Sequence, residues 1–380
     1  MPEIMLPAKI ELIFSSRLFD CLCIVALYFF TAAAAFNGLQ DTNGFVNDTD
    51  QYPTYGVSFI GAITGTAQKP FVFRRLLPDT ANWVATVTPQ RVQDGLYRWF
   101  YPIEGPDLSS KILAFGHSST TRSRTWFFRY IVLYLCEFLS ALLAIFAMHL
   151  VCRALGLPRA VTLFAPIVVM LFMPYVLVFY YDFLELALFT LAVWMALRTS
   201  WWWLVPLAAL GAWNKESFLF FVPTLYPFLR QRFSRGITYA AIGLSGAASA
   251  TVYLYIRSRF PQSPNASAWL QWQGHFAHLG NLHELLVYNI EVYGIRLPGL
   301  STIWPTLLLL WLFARAWRHL PAMVRSHTLI AAVINFPLYL LFCGAGEYRN
   351  LSMLCVFVLL TVAWNLKTAL EREPPPSPAS

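Results

Sequence analysis

The chain has 380 residues, of which 58% are hydrophobic, 17% aromatic and only 12% charged. A soluble domain carries about twice that charge, so most of this chain cannot be surrounded by water. The composition excludes a cytosolic enzyme, a nucleic-acid module and a disordered protein, and it leaves the net charge of +8 to be explained by topology.

Ten apolar stretches are predicted as spans, at 18–37, 127–151, 160–180, 182–197, 201–213, 215–229, 237–256, 300–314, 327–343 and 350–366. The fold class is therefore an all-α integral membrane protein with about ten transmembrane helices. Residues 1–17 form an N-terminal tail, 18–366 a polytopic membrane domain, and 367–380 a tail whose Pro374-Pro375-Pro376 run predicts disorder. The first stretch ends in Thr31-Ala32-Ala33-Ala34-Ala35, and we read it as an uncleaved helix with small packing residues. The stretches 201–213 and 215–229 are short for a full crossing and predict half-helices or a re-entrant pair. Pro166, Pro174, Pro206 and Pro223 are expected to interrupt four helices. The six cysteines all sit in or beside apolar runs, which suits small buried hydrophobes.

Two segments between spans are expected to be structured. Segment 38–126 is too long and too aromatic for a plain linker, with Trp83, Tyr97, Trp99, Phe100 and Tyr101. Segment 257–299 places Trp269, Trp272, Phe276, Leu279 and Leu286 at helical spacing, which predicts an amphipathic surface helix. Its His275, His278 and His283 with Glu284 have metal-ligand spacing, but a solvated helix face is the simpler reading, so no metal ligand is assigned.

Lysines and arginines in the short loops orient the bundle. With the N-terminus cytoplasmic, thirteen fall inside: Lys9, Arg17, Arg153, Arg159, Arg198, Arg230, Arg232, Arg235, Arg315, Arg318, Arg325, Lys367 and Arg372. Beyond the first loop only five fall outside: Lys215, Arg257, Arg259, Arg296 and Arg349. Both termini are thus expected in the cytoplasm.

In that register the ionisable residues within or beside the spans gather on the outer rim, where they mark function. Asp41, Asp48 and Asp50 follow the first helix; Asp182 opens the fourth, with Glu185 a turn deeper. Asn214, Lys215 and Glu216 occupy the turn between the short helices, and Glu347, Arg349 and Asn350 the last outer turn. Simpler readings stand beside this one. Asp182 could merely cap a helix, and Lys215-Glu216 and Glu347-Arg349 could be interfacial pairs that snorkel. Glu137, deep in the second helix, must be neutral, paired or beside a cavity.

The run Tyr180-Tyr181-Asp182-Phe183-Leu184-Glu185, followed by Asn214-Lys215-Glu216-Ser217 and Phe221-Val222-Pro223, resembles the middle of polytopic GT-C-type glycosyltransferases and their uncharacterised bacterial relatives. Asp50-Gln51-Tyr52 and the run from Lys69 to Pro78 resemble the segment that follows the first helix in that family. The resemblance covers roughly residues 18–230. It implies a GT-C-like fold and transfer of a sugar from a polyprenyl-phosphate donor to a lipid, glycan or protein acceptor at the outer membrane face. It also implies a catalytic carboxylate in the first outer loop, Asp50 first and Asp41 second. Lys215, Arg349, Arg74 and Arg75 are the expected phosphate ligands, with Asp182, Glu185, Glu216, Glu347 and Tyr52 in support. The sequence departs from the family in lacking adjacent paired acids in the first loop and a large outer domain.

The expected partners are the lipid bilayer, a lipid-linked sugar donor and a glycan or lipid acceptor, with no nucleic acid. No cofactor is assigned, and a divalent metal stays open. A bacterial inner membrane is the default location. Two alternatives stay open as well: a transporter or flippase of a lipid-linked or anionic substrate, and a non-catalytic assembly subunit that keeps the fold.

Overall fold

The computed structural model describes residues 17–41, 59–102, 122–173, 179–263, 303–343 and 348–371. Every regular element among them is helical. Helix α1 (Arg17–Asp41) precedes a set of short helices in the first loop: α2 (Phe59–Thr64), a 3-10 turn (Phe71–Phe73), α3 (Leu76–Val87) and α4 (Gln90–Phe100). Then come α5 (Arg124–Ala154), α6 (Arg159–Phe172), α7 (Asp182–Arg198) and α8 (Leu204–Asn214). A broken segment follows, made of α9 (Ser217–Phe221), a 3-10 turn (Val222–Leu225) and α10 (Tyr226–Arg230). The remainder is α11 (Arg235–Arg259), α12 (Ile303–Trp317), α13 (Ala322–Phe342), a 3-10 turn (Tyr348–Leu354) and α14 (Cys355–Leu370).

Five helices are long and apolar enough to cross a membrane, with windows at Cys21–Leu39, Arg124–Ala154, Arg235–Arg259, Ala322–Phe342 and Arg349–Leu370. Their outward faces are oily: Leu135, Leu139 and Leu143 are exposed along one stripe of α5, whereas Leu133, Ala141, Ala144 and Met148 on its other side are buried. Exposed apolar stripes of this extent suit lipid and not water, and the chain is a multi-pass helical membrane protein. Two of the other apolar stretches are shorter or more divided than the sequence pattern suggests. The stretch predicted as 160–180 is helical as Arg159–Phe172, and 215–229 is broken in three. Pro223 and Pro227 cause the breaks by starting new turns, where a missing N–H costs least. Pro206 likewise sits in the first turn of α8, which it opens and does not interrupt. Pro166 does lie inside α6, while Pro174 lies outside the described residues.

Helix α7 is buried on every face and forms the centre, packed against α5 on one side and α8 on another. Helix α11 covers α8, and α14 packs on α6 and α12. The turns are locally encoded. Gly156, at φ +70°, closes α5 with paired bonds from Gly156 N to Arg153 O (3.1 Å) and Leu157 N to Cys152 O (3.2 Å), a left-handed cap that favours glycine. At that end arginines close helix C-termini: Arg198 donates to Ala154 O at 2.8 Å and Arg232 to Thr199 O at 2.7 Å. The opposite end receives the first loop, because α3 and α4 lie against the N-terminal part of α5.

Candidate functional site

At the end opposite the arginine caps, four chain segments deliver charged side chains to one point. Burial of Phe189, Phe218 and Phe221 folds α8 and α9 back beside α7, with the Phe189 and Phe221 rings stacked at 4.1 Å. That places the turn Asn214-Lys215-Glu216 over the start of α7, and Asn214 Nδ2 donates to Tyr181 O at 3.1 Å. The first loop joins through its backbone, with Arg75 N donating to Trp213 O at 3.0 Å.

Lys215 Nζ lies 2.7 Å from Glu185 Oε2 and 3.7 Å from Asp182 Oδ1. Glu185 also accepts from Ser217 Oγ and, at 2.9 Å, from Ser352 Oγ, which ties the last 3-10 turn to the cluster. Asp182 Oδ2 accepts from Phe179 N at 2.9 Å, so this carboxylate braces the preceding turn as well as facing Lys215. Arg74 pairs with Glu216 at 3.0 Å, donates to the Tyr181 hydroxyl, and lies over the Tyr181 ring. Arg349 stands 3.9 Å over the Phe179 ring. Arg74, Lys215 and Arg349 are each 6% exposed or less, as are Asp182 and Glu185. Burying so much charge is costly unless it is paired, and Arg74 faces Glu216 while Lys215 faces both Glu185 and Asp182. Burial works against charge on Arg74 and Glu216, but their mutual attraction outweighs it, so the guanidinium is held above its ordinary pKa and the carboxyl below.

Several expected site residues thus meet: Arg74, Lys215, Arg349, Asp182, Glu185 and Glu216. The partners differ from the simplest expectation. Lys215 and Glu216 do not pair with each other or snorkel; Lys215 turns to Glu185 and Glu216 to Arg74. Arg75 stays outside the cluster, bound to Asp79 at 2.6 Å and to Ala62 O, with Asp79 also accepting from Trp213 Nε1 at 3.2 Å. Asp50, Tyr52 and Glu347, together with His275, His278 and His283, lie outside the described residues, and of Asp41 only the helical backbone is described. Among the described residues no group of three His, Cys, Asp or Glu is arranged to hold a metal.

Tyr181, Ser217 and Ser352 carry contacts that sequence reasoning did not assign. Tyr181 and Ser217 lie inside the motif that carries the family resemblance. Ser352 lies two residues beyond Asn350, and a lone serine in that turn carries no signal of its inward contact with Glu185. Compared with family models, curated proteins and solved structures, the chain matches none of them. The geometry therefore defines a class only: a multi-pass helical membrane protein with a buried ion-pair cluster at one end of its bundle.

Proposed function

We propose that the chain is a GT-C-like membrane glycosyltransferase that moves a sugar from a polyprenyl-phosphate donor onto a lipid, glycan or protein acceptor. The observation that carries this reading is the meeting of Arg74, Lys215 and Arg349, from three distant parts of the chain, at a single buried point. If all ten apolar stretches cross, the arginine-rich end is cytoplasmic and the cluster faces the outer side of a bacterial inner membrane.

In this reading an acceptor oxygen bonds to the anomeric carbon of the sugar as the bond from that carbon to the phosphate oxygen breaks. Asp50, or else Asp41, takes the proton from the acceptor hydroxyl. The leaving polyprenyl phosphate gathers negative charge, which cations fixed in a dry site stabilise strongly. A donor phosphate entering the cluster competes with Glu216 for Arg74 and with Glu185 for Lys215. Glu185 and Asp182 hold Lys215 in place until then, and the stacked Tyr181 and Phe179 rings carry Arg74 and Arg349 on their faces.

The test titrates protein in nanodiscs with polyprenyl phosphate and with a polyprenyl-phosphate sugar, reading each variant's thermal shift against its own lipid-free value. Stabilisation should be lost in Lys215→Ala and Arg349→Gln and survive in Asp50→Asn, which loses transfer alone. No shift with either lipid in well-folded wild type would overturn donor binding. A transporter or flippase is the second reading, favoured by the full burial of Glu137 inside α5. It predicts that Glu137→Gln stops movement of substrate across the membrane and that Asp50→Asn does not. An assembly subunit with the same fold would show neither activity.

A further inference from the structure

Helices α3 and α4 leave one face uncovered by any described residue. After Gln90, which opens the helix, the exposed positions on α4 are Arg91, Val92, Gly95, Arg98 and Trp99, a single stripe at helical spacing. A Cβ built on Gly95 would meet nothing within 4 Å. Leu96, Tyr97 and Phe100 on the other side pack on the core, with Tyr97 and Phe100 edge-on to Phe127 at 5.4 and 5.2 Å. Helix α3 also exposes apolar side chains, Trp83 and Val87, and both Trp83 and Trp99 are 64% exposed. An oily surface carrying two tryptophans and two guanidinium groups is poorly suited to bulk water.

Its depth is fixed by bonds to a span. Arg124, the first residue of the membrane-crossing α5, donates to Asp94 of α4 at 2.8 Å, and Arg129 one turn deeper donates to Asn82 of α3 at 3.0 Å. The hairpin is therefore pinned level with the end of a span, where lipid headgroups lie and where tryptophan is favoured. Charge points to one kind of lipid. Asp94, one turn before Arg98, is the one acid on α4 and is paired with Arg124 at 2.5 Å, so Arg91 and Arg98 leave the exposed side of the helix with net positive charge.

We infer that the α3–α4 hairpin is a docking surface for anionic phospholipid, with Arg91 and Arg98 on headgroup phosphates and Trp83 and Trp99 set among the first acyl carbons. The inference is independent of any transfer chemistry. Lipid capture at this point holds the first loop against the bundle beside the buried cluster, since α3 also reaches that cluster's edge through Asp79 and Trp213.

The test is hydrogen–deuterium exchange of the whole protein in nanodiscs of phosphatidylglycerol or phosphatidylcholine, read over residues 83–100. Near an anionic surface each arginine favours the bound state about fivefold, so exchange should slow roughly tenfold or more in phosphatidylglycerol relative to phosphatidylcholine. In Arg91→Gln/Arg98→Gln the difference should vanish. Both side chains are exposed, so the fold should survive, and Arg257→Gln serves as the control that keeps the difference. Equal exchange of wild type in the two lipids would overturn the inference, as would a difference that persists in the double variant. Protection already present in detergent and rising with protein concentration would assign the face to a second copy of the chain.

Discussion

The ammonium of Lys215 sits 2.7 Å from Oε2 of Glu185, two residues thirty positions apart whose side chains are only 4% and 3% exposed. Such a pair is weak evidence for stability in itself, because each ion has been stripped of water. What it fixes is the cost of breaking it. Removing one partner leaves the other charge buried, with Asp182 beside it.

Lys215→Met and Glu185→Gln should each lower unfolding free energy by about 3–5 kcal/mol. The double variant Lys215→Met/Glu185→Gln should recover a good part of that loss, since no uncompensated charge of the pair remains. Denaturant titration in detergent measures all three. Additive losses in the double variant would mean that the two side chains are not coupled.

The Arg74–Glu216 pair makes a pH prediction. Glu216 lies in a turn outside the five long helices, and Arg74 holds its carboxyl below the ordinary value against the effect of burial. A carboxyl with a lowered folded-state pKa contributes stability that is fully present above its unfolded value, near 4.5, and is lost as pH falls through the folded value. Stability of wild type should therefore drop more steeply below about pH 4.5 than that of Glu216→Gln. Parallel curves for the two proteins would rule out the pair as the cause.

Much of the helix layout is legible in the sequence, because lipid and a buried core both demand long apolar runs. Each of the ten predicted stretches overlaps a helix or a chain of helical turns. Ends are set by local chemistry that hydropathy does not register: Ser234 Oγ accepts from Ile237 N at 3.4 Å and starts α11 ahead of its apolar run, whereas Pro321 precedes the first turn of α13 without a side-chain cap. The meeting of residues 182, 215 and 349 at one end follows from counting crossings. Their choice of partner does not follow, because Lys215 and Glu216 are neighbours whose backbone turns between them. Lys215 is extended at φ −159° and Glu216 helical at φ −57°, which sends one side chain to α7 and the other to the first loop. Arg74 at ψ 76° and Arg75 at ψ −17° also differ in backbone conformation, and Arg74 enters the cluster while Arg75 leaves it.

His327 of α13 repairs a fault made by proline. Pro227 has no N–H to give to Thr224 O in a 3-10 pattern, and His327 Nδ1 lies 2.8 Å from that oxygen. The ring is fully buried and packs against Phe221 and Phe228. His327→Phe keeps a ring of similar size but leaves the carbonyl without this donor, which should cost about 1–3 kcal/mol. His327→Asn can still donate, so it should restore the bond while losing ring contacts. A His327→Phe protein as stable as wild type in thermal denaturation would show that backbone alone satisfies Thr224.

A tight contact at the site lies between the two short helices. Gly211, in the last turn of α8, faces the ring of Phe218 in α9 so closely that an added Cβ would fall inside van der Waals contact with the ring. Phe218 cannot easily yield, because it is buried and lies against Phe189 and Phe221. Gly211→Ala should therefore overpack this contact, costing about 1–3 kcal/mol. Since the turn carrying Lys215 and Glu216 joins the two helices, spreading them moves Lys215 away from Glu185 and Glu216 away from Arg74 together, and donor-dependent stabilisation should weaken in the same variant. Trimming the ring makes room for the new methyl: Gly211→Ala/Phe218→Leu should recover much of the loss in Tm and in lipid response. Gly211→Ala with wild-type stability and wild-type lipid response would mean that the helix pair has slack at this contact and does not set the position of Lys215.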